Sequence, residues 1–186
     1  MFKATQVAFS LVILATLAAA GDICAYTSRG CVGTFGCCIN IPANVCCLYP
    51  DNYGWSNLKN MTSNGNWWAS MYSDTCQTLL AGSVASADGQ ICLGAWDVPA
   101  RSTSWRVTTN TNAKRSITVN QEAAQCMSPN VIGFTTDSGE ERLFRIPDGT
   151  RFEDAEKFLE EGQFEELFKY EKGQPVVFEA VTKQLG

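Results

Sequence analysis

Nine cysteines constrain this chain more than any other feature of its sequence. Six of them lie between Cys24 and Cys47 in the spacing C-x6-C-x5-CC-x7-CC, and two more follow by Cys92. Eight cysteines in 69 residues amount to about 12%, above the roughly 8–10% typical of disulfide scaffolds in short secreted chains. We therefore predict a small β domain held together by disulfides. The disulfide candidates are Cys24, Cys31, Cys37, Cys38, Cys46, Cys47, Cys76, Cys92 and Cys126.

Two pairs of adjacent cysteines, Cys37-Cys38 and Cys46-Cys47, indicate how the strands are joined. Successive side chains of a β-strand point to opposite faces, so each pair can tie its strand to two different neighbours. A bond within a pair is the competing interpretation, but adjacent cysteines are too close for unstrained disulfide geometry. We therefore expect cross-links between strands, with a connectivity that the spacing alone does not fix.

Cys126 stands apart from the other cysteines, 34 positions beyond Cys92. Because nine is an odd number, one cysteine is left over unless it pairs between chains. Cys126 is either that left-over thiol or an anchor that bonds the rest of the chain to the stapled domain. We favour the anchor, and a dimer linked through the odd cysteine is the other outcome to consider.

The first twenty residues have the pattern of a secretory signal peptide. Lys3 supplies a positive charge, residues 7–17 are almost continuously apolar, and residues 18–20 are all alanine, as at a signal cleavage site. An N-terminal membrane anchor is the alternative, but the apolar run is shorter than the about 20 residues that a spanning helix needs. We expect a secreted, extracellular protein with no membrane span, in an oxidising compartment where disulfides persist.

The charges divide the remaining chain into two parts. Residues 21–136 contain six acidic and six basic residues, whereas residues 137–186 contain thirteen acidic and seven basic ones. We therefore predict a cysteine-rich β domain over residues 21–125 and an acidic α+β subdomain over residues 126–186. Neither part has the clustered Lys and Arg that binding to a phosphate backbone requires, which argues against a nucleic-acid partner.

The chain contains no histidine, which excludes several catalytic mechanisms. It cannot form a Ser-His-Asp triad, a Cys-His pair or a histidine metal site. We expect a non-enzymatic protein with no catalytic residues, no cofactor and no metal. A small carboxylate-dependent glycan hydrolase is the alternative, and it would need two acidic groups across a cleft. The acids between Cys24 and Trp105 are Asp51, Asp74, Asp88 and Asp97.

Short alternating segments predict that the cysteine-rich part is mainly β. Residues 67–72 form a strand with Trp67, Ala69 and Met71 on one face, and residues 105–109 and 116–120 form a hairpin. Residues 78–91 are small and flexible, with Gly82, Ser83, Ser86 and Asp88-Gly89, and we expect a loop there. Several short strands with few helix signals favour a Greek-key sandwich or a small barrel.

The pattern of the acidic part predicts a compact ββααβ unit. The predicted fold class of the whole chain is therefore α+β. Thr150 and Glu153 form a capping box, and the apolar stripe of Phe152, Ala155 and Leu159 follows at helical spacing. The predicted elements are strands 131–136 and 141–146, a helix ending at Gly162, a helix over 164–172 and a strand over 176–181.

The segment 41–47, Ile-Pro-Ala-Asn-Val-Cys-Cys, with the aromatic-rich strand after it, is similar to fungal small secreted cysteine-rich proteins with a βγ-crystallin-type Greek key. Residues 51–56, Asp-Asn-Tyr-Gly-Trp-Ser, partly resemble the calcium loop of that family, although Trp55 stands where the family has a hydroxyl ligand. The resemblance reaches from Gly21 to about Asn120. It implies an extracellular, non-catalytic protein such as an effector, toxin or antifungal factor.

We therefore expect a secreted binding or effector-like protein that acts on an extracellular glycan or protein, and a structural wall or matrix component is a further alternative. The candidate contact residues are Trp55, Trp68 and Tyr72, which could stack on a sugar or pack against a protein. The competing interpretation is that these aromatic side chains pack under the disulfides and loops. Residues 60–62, Asn-Met-Thr, form an N-glycosylation sequon, which predicts a glycoprotein modified at Asn60.

Overall fold

The computed structural model describes residues 19–50, 53–63, 65–95, 98–108, 125–163 and 166–167. Within these ranges the chain forms eleven strands and one longer helix, and no helix is long and apolar enough to cross a membrane. The elements are β1 Ala20–Ser28, β2 Val32–Pro42, β3 Cys46–Leu48, β4 Trp55–Lys59, β5 Trp67–Tyr72, β6 Leu79–Ala85, β7 Ile91–Gly94, β8 Ser102–Val107, β9 Cys126–Met127, β10 Val131–Thr135, β11 Glu141–Arg145 and α1 Phe152–Glu160.

The strands form two separate sheets. The first sheet has the order β11-β10-β2-β1-β4-β7, and all its neighbours are antiparallel. The second sheet has the order β6-β5-β8-β3-β9, in which only β3 and β9 run parallel. The prediction of a disulfide-stapled, mainly β fold with a helix in the C-terminal part is confirmed. Of the two architectures considered, the described strands form packed sheets and not a closed barrel.

The main core lies between the two sheets. The second sheet contributes Trp67, Ala69 and Met71 of β5, and the first sheet contributes Ile23 and Leu58, all fully buried. The predicted strand 67–72 and its core face are therefore confirmed, because alternate residues of β5 face the same side.

A buried group of three hydroxyls joins the sheets within this core. The Tyr49 hydroxyl lies 2.6 Å from Thr103 Oγ1 on β8, and that oxygen lies 2.8 Å from Ser56 Oγ on β4. Burial raises the pKa of Tyr49 to about 12, against the smaller opposing effect of its hydrogen bonds to Ser56 and Thr103. Each hydroxyl has a partner, so the polar group does not weaken the core.

Four disulfides staple the sheets, and adjacent cysteines join different neighbours as predicted. Cys37 bonds to Cys24 on the adjacent strand, whereas Cys38 bonds to Cys47 and so joins the two sheets. Cys46 bonds to Cys76. The fourth bond links Cys31, in the turn after β1, to Cys92 on β7.

Cys126 differs from the anchor that the sequence analysis favoured. The other eight cysteines pair with one another, and the exposed Cys126 lies outside the four disulfides. Backbone pairing holds this part of the chain instead. Cys126 and Met127 pair in parallel with Cys46 and Cys47, and the Cys46 N–H donates to the carbonyl oxygen of Gln125.

The predicted hairpin of the acidic part is confirmed as β10 and β11, and it extends the first sheet through the pairing of β10 with β2. Whether residues 126–186 form a separate subdomain stays a prediction. The predicted helix 164–172 and strand 176–181, and the second strand of the predicted hairpin at 116–120, lie wholly or mostly outside the described residues.

Helix α1 packs its apolar stripe against the core. Phe152, Ala155 and Leu159 are buried as predicted, and each large apolar side chain stabilises the fold by roughly 1.5–3 kcal/mol. Gly162 follows the last turn with a φ of 67°, as expected for a glycine that ends a helix. The capping prediction was wrong by one residue: the N-cap is Arg151, which makes no side-chain cap but binds Asp154 at 2.9 Å.

The largest error of the sequence analysis concerns residues 78–91. A loop was expected because the residues are small, but Leu79–Ala85 forms strand β6, paired with β5 along its whole length. Gly82 has a packing role in this strand, since a Cβ at this position would lie 2.4 Å from the indole of Trp68. Strands β4 and β7 were also not predicted from the sequence.

Candidate functional site

The three predicted contact residues do not form one site. Trp55 lies on β4 and faces away from the second sheet, whereas Trp68 and Tyr72 lie on β5 and face away from the first sheet. Trp68 is only 9% exposed and Tyr72 only 3%, while Trp55 is partly exposed. The two faces point in opposite directions, so one ligand cannot contact all three side chains.

Trp68 and Tyr72 have packing roles of their own. The Trp68 ring covers Gly82, and its Nε1 donates a hydrogen bond of 2.6 Å to Ser70 Oγ. Tyr72 packs with Cys46 and Cys76, which form a disulfide. For these two residues the competing interpretation, aromatic packing beside disulfides and loops, describes the observed contacts.

Trp55 belongs to a mixed group of side chains on the outer face of the first sheet. Trp55, Asn57 and Lys59 alternate along β4 and therefore share this face. Tyr26 of β1 is the register partner of Trp55, and Glu141 of β11 reaches the same place through its carboxylate. We call these five residues the outer cluster.

The Trp55 ring covers Gly94, its register partner on β7. A Cβ at Gly94 would lie 2.5 Å from two carbon atoms of the indole, so only glycine leaves room for the ring there. Tyr26 and Phe35 continue this aromatic row on the next two strands, with ring centroids 4.8 Å apart.

A hydrogen-bonded ion pair joins the outer cluster to β11. Glu141 accepts a hydrogen bond of 2.7 Å from the Tyr26 hydroxyl through Oε1, and Lys59 Nζ binds its Oε2 at 2.7 Å. Burial and the hydrogen bond to Glu141 raise the pKa of Tyr26 far above its ordinary value. The two formal charges of the cluster therefore balance.

Asn57 carries a buried oxygen with no hydrogen-bond partner among the described residues. The residue is 5% exposed, its amide interacts with the Tyr26 hydroxyl, and its Oδ1 has no donor. An unsatisfied buried acceptor costs about 1–3 kcal/mol, so such atoms are uncommon in native folds. Trp67 Nε1 is a second unsatisfied atom, but it lies in the main core between the sheets.

The carboxylates considered for a hydrolase have other partners where they are described. Asp74 accepts hydrogen bonds from the Gln77 and Thr78 N–H groups and from Thr78 Oγ1, and these bonds lower the pKa of Asp74. Asp88 accepts one from Ser86 Oγ. Asp51 and Asp97 lie outside the described residues, and the hydrolase alternative therefore stays untested.

Glu156 on α1 has a carboxyl group whose pKa is raised. It accepts a hydrogen bond of 2.7 Å from the buried Tyr53 hydroxyl, and partial burial raises the pKa of Glu156 despite that bond. Tyr53 also contacts Phe152 edge-on. The pair therefore docks α1 on the cysteine-rich part. No group of three or more candidate metal ligands occurs among the described residues.

The sequon residue Asn60 lies just after β4 and is exposed. Its Nδ2, the atom that would carry a glycan, donates a hydrogen bond of 2.7 Å to Asp22 Oδ2. Thr62 Oγ1 bonds to the backbone of Ala20. Glycosylation at Asn60 stays a prediction.

Sequence reasoning identified Trp55 but missed the four residues around it. The alternation of Trp55, Asn57 and Lys59 was a usable signal for a strand, although no strand was predicted there. No sequence signal pointed to Glu141, because this residue lies 82 positions from Lys59 and 115 positions from Tyr26.

Comparison with known proteins identifies one family. The family model described as ARB_05566_N, N-terminal domain, matches residues 22–130, which is more than half of the chain, and the chain therefore belongs to this family. The matched range begins at the third residue of β1, includes β2 to β9 and ends directly before β10. Neither the curated proteins nor the solved structures gave a match.

Proposed function

We propose that this protein is secreted and acts outside the cell by binding a glycan on the outer cluster, without catalysing a reaction. The observation that carries the proposal is the partly exposed indole of Trp55, which lies on the same face of the first sheet as the polar side chains of Lys59 and Glu141.

The chemistry of the outer cluster suits a sugar ring. A sugar presents a flat face of C–H groups and a rim of hydroxyls, and Trp55 offers a planar apolar surface next to polar groups. Asn57, Lys59 and Glu141 together offer both donors and acceptors. Lys59 and Glu141 neutralise each other, so a neutral glycan fits this face better than an acidic one.

The covalent structure supports an extracellular location. Four disulfides persist in oxidising compartments and are rare in the cytosol. The signal-like segment over residues 1–20 and the resemblance to fungal small secreted cysteine-rich proteins agree with this location.

The proposal is tested with a panel of neutral and acidic glycans and the variants Trp55→Ala and Lys59→Met, since both side chains are partly exposed on the same face. We expect each variant to bind a retained neutral glycan about tenfold more weakly, because each loses one contact of about 1.4 kcal/mol. Val107→Ala is the control, since Val107 is 46% exposed and lies on the second sheet.

The free energy of unfolding separates a binding role from a structural one. Urea unfolding of each variant, compared with that of the wild type, identifies any loss of glycan binding that is caused by loss of the fold. A folded wild-type protein that retains no glycan, or a folded Trp55→Ala variant that binds as well as wild type, would contradict the proposal.

A further inference from the structure

Strand β6 forms one edge of the second sheet. Its seven residues, Leu79–Ala85, pair with β5 on one side. On the other side, no backbone hydrogen bond joins β6 to another described strand, although β7 of the first sheet lies close by. The outward N–H and C=O groups of an edge strand are a template for pairing with another strand.

The sequence of β6 lacks the charges and prolines that normally protect an edge, and its irregularity in pairing is confined to the register shift at Leu80, near one end. Leu-Leu-Ala-Gly-Ser-Val-Ala contains no charge and no proline, and every residue is partly or well exposed. Natural edge strands are protected by charged side chains, proline, short length or covering segments. A neutral seven-residue edge is therefore a surface for strand addition.

The other edges of the two sheets carry such protection. Strand β11 includes the charged residues Glu141, Arg142 and Arg145. Strand β7 is four residues long and is held by the disulfide at Cys92, and β9 is only two residues long. The contrast makes β6 the exception among the edges of the described sheets.

We propose that β6 pairs with β6 of a second copy of this chain, so that the two second sheets join into one continuous sheet. Charge favours a second copy of the chain as the partner. The chain has a net charge of −5, but β6 itself has no charged residue, so two copies can meet at this edge without local repulsion between like charges. A strand that pairs with itself in the antiparallel sense gives a two-fold symmetric, closed dimer.

This dimer does not involve the outer cluster. Trp55 and its neighbours lie on the first sheet and face away from the second, so the dimer leaves both copies of that face open. The dimer also differs from a disulfide-linked one, because Cys126 lies on β9, at the opposite edge of the second sheet from β6.

The proposal is tested by sedimentation equilibrium of the full chain over a wide range of concentration. Leu79→Lys places a charge on the β6 edge, and Val107→Lys is the matched control, since both wild-type side chains are 46% exposed and belong to the second sheet. We expect dimers for the wild type and for Val107→Lys, and monomers for Leu79→Lys. A wild type that stays monomeric at high concentration, or a folded Leu79→Lys variant that still forms dimers, overturns the proposal.

Hydrogen exchange of the wild type gives a second test that needs no variant. In the dimer the outward N–H groups of β6 are hydrogen-bonded, so their exchange slows as the concentration rises, while exchange in β11 does not change. Protection of β6 that is independent of concentration overturns the proposal, because the edge would then be covered within one copy. Cys126→Ser should leave the dimer intact, and loss of the dimer in that variant assigns it to an intermolecular disulfide instead.

Discussion

Replacing the disulfide between Cys31 and Cys92 by two serines should lower the free energy of unfolding by about 3.5 kcal/mol. This bond is the best of the four for isolating the effect of the cross-link itself. Cys92 is exposed and Cys31 is partly exposed, so their loss leaves little buried cavity. Cys24, Cys37, Cys38 and Cys47 are fully buried, and their removal would add a packing cost.

The magnitude follows from the length of loop that the bond closes. The two cysteines are 61 positions apart, and a loop of that length alone would give about 4.3 kcal/mol from chain entropy. The Cys38–Cys47 and Cys46–Cys76 bonds shorten the covalent path between them to about 25 residues, which reduces the contribution to about 3.5 kcal/mol.

The measurement is urea unfolding of the wild type and of Cys31→Ser/Cys92→Ser without reductant, followed by tryptophan fluorescence. The unfolded variant is less constrained and exposes more surface. The slope m of the free energy of unfolding against urea concentration should therefore rise, while the urea concentration at the midpoint falls. A loss below about 1 kcal/mol with an unchanged slope would refute the reasoning, because the unfolded wild-type chain would then not be held together by this bond.

Three further predictions concern packing and titration. Gly82→Ala should lower the free energy of unfolding by about 1–3 kcal/mol, since the new Cβ lies 2.4 Å from the Trp68 indole. Gly65→Ala is the control, because no atom lies within 4 Å of a Cβ at that position. Equal urea midpoints for the two variants would contradict the packing argument. Because the pKa of Glu156 is raised in the folded state, this carboxyl group stabilises the fold below its ordinary pKa of 4.5, and that stabilisation is lost as the pH rises through the folded-state pKa. Glu156→Gln should remove this pH dependence, so the free energies of unfolding of wild type and variant, measured in urea from acidic to neutral pH, should diverge. Parallel pH profiles of the two proteins would contradict this prediction. The Tyr49 hydroxyl stabilises the fold below its ordinary pKa of 10.0, and this stabilisation is lost as the pH rises through its folded-state pKa of about 12. Because phenylalanine does not titrate, Tyr49→Phe should unfold at a higher pH than the wild type in an alkaline titration followed by ultraviolet absorbance.

The sequence predicted those features that depend on neighbouring residues. The two faces of β5 and the opposite directions of Cys37 and Cys38 follow from the two-residue period of a strand, and the hairpin of β10 and β11 follows from its central turn. Such features depend on backbone geometry, which acts over a few positions.

The features that the sequence did not predict depend on distant partners. Strand β6 has weak β propensity, and its pairing with β5 and the Trp68 ring over Gly82 determine its conformation. The outer cluster needs Glu141 to meet Tyr26, which only the sheet order brings together. The position of Cys126 outside the disulfides depends on the pairing of all the other cysteines.

The order of strands in the first sheet has a consequence for a chain that is made from its N-terminus. Strand β2 lies between β1 and β10, but β1 precedes it directly whereas β10 begins at residue 131. All eight cysteines of the four disulfides are synthesised by residue 92, before any residue of β10 exists. All eight cysteines are therefore available for pairing while one side of β2 is still open, and β10 and β11 can extend the sheet only afterwards.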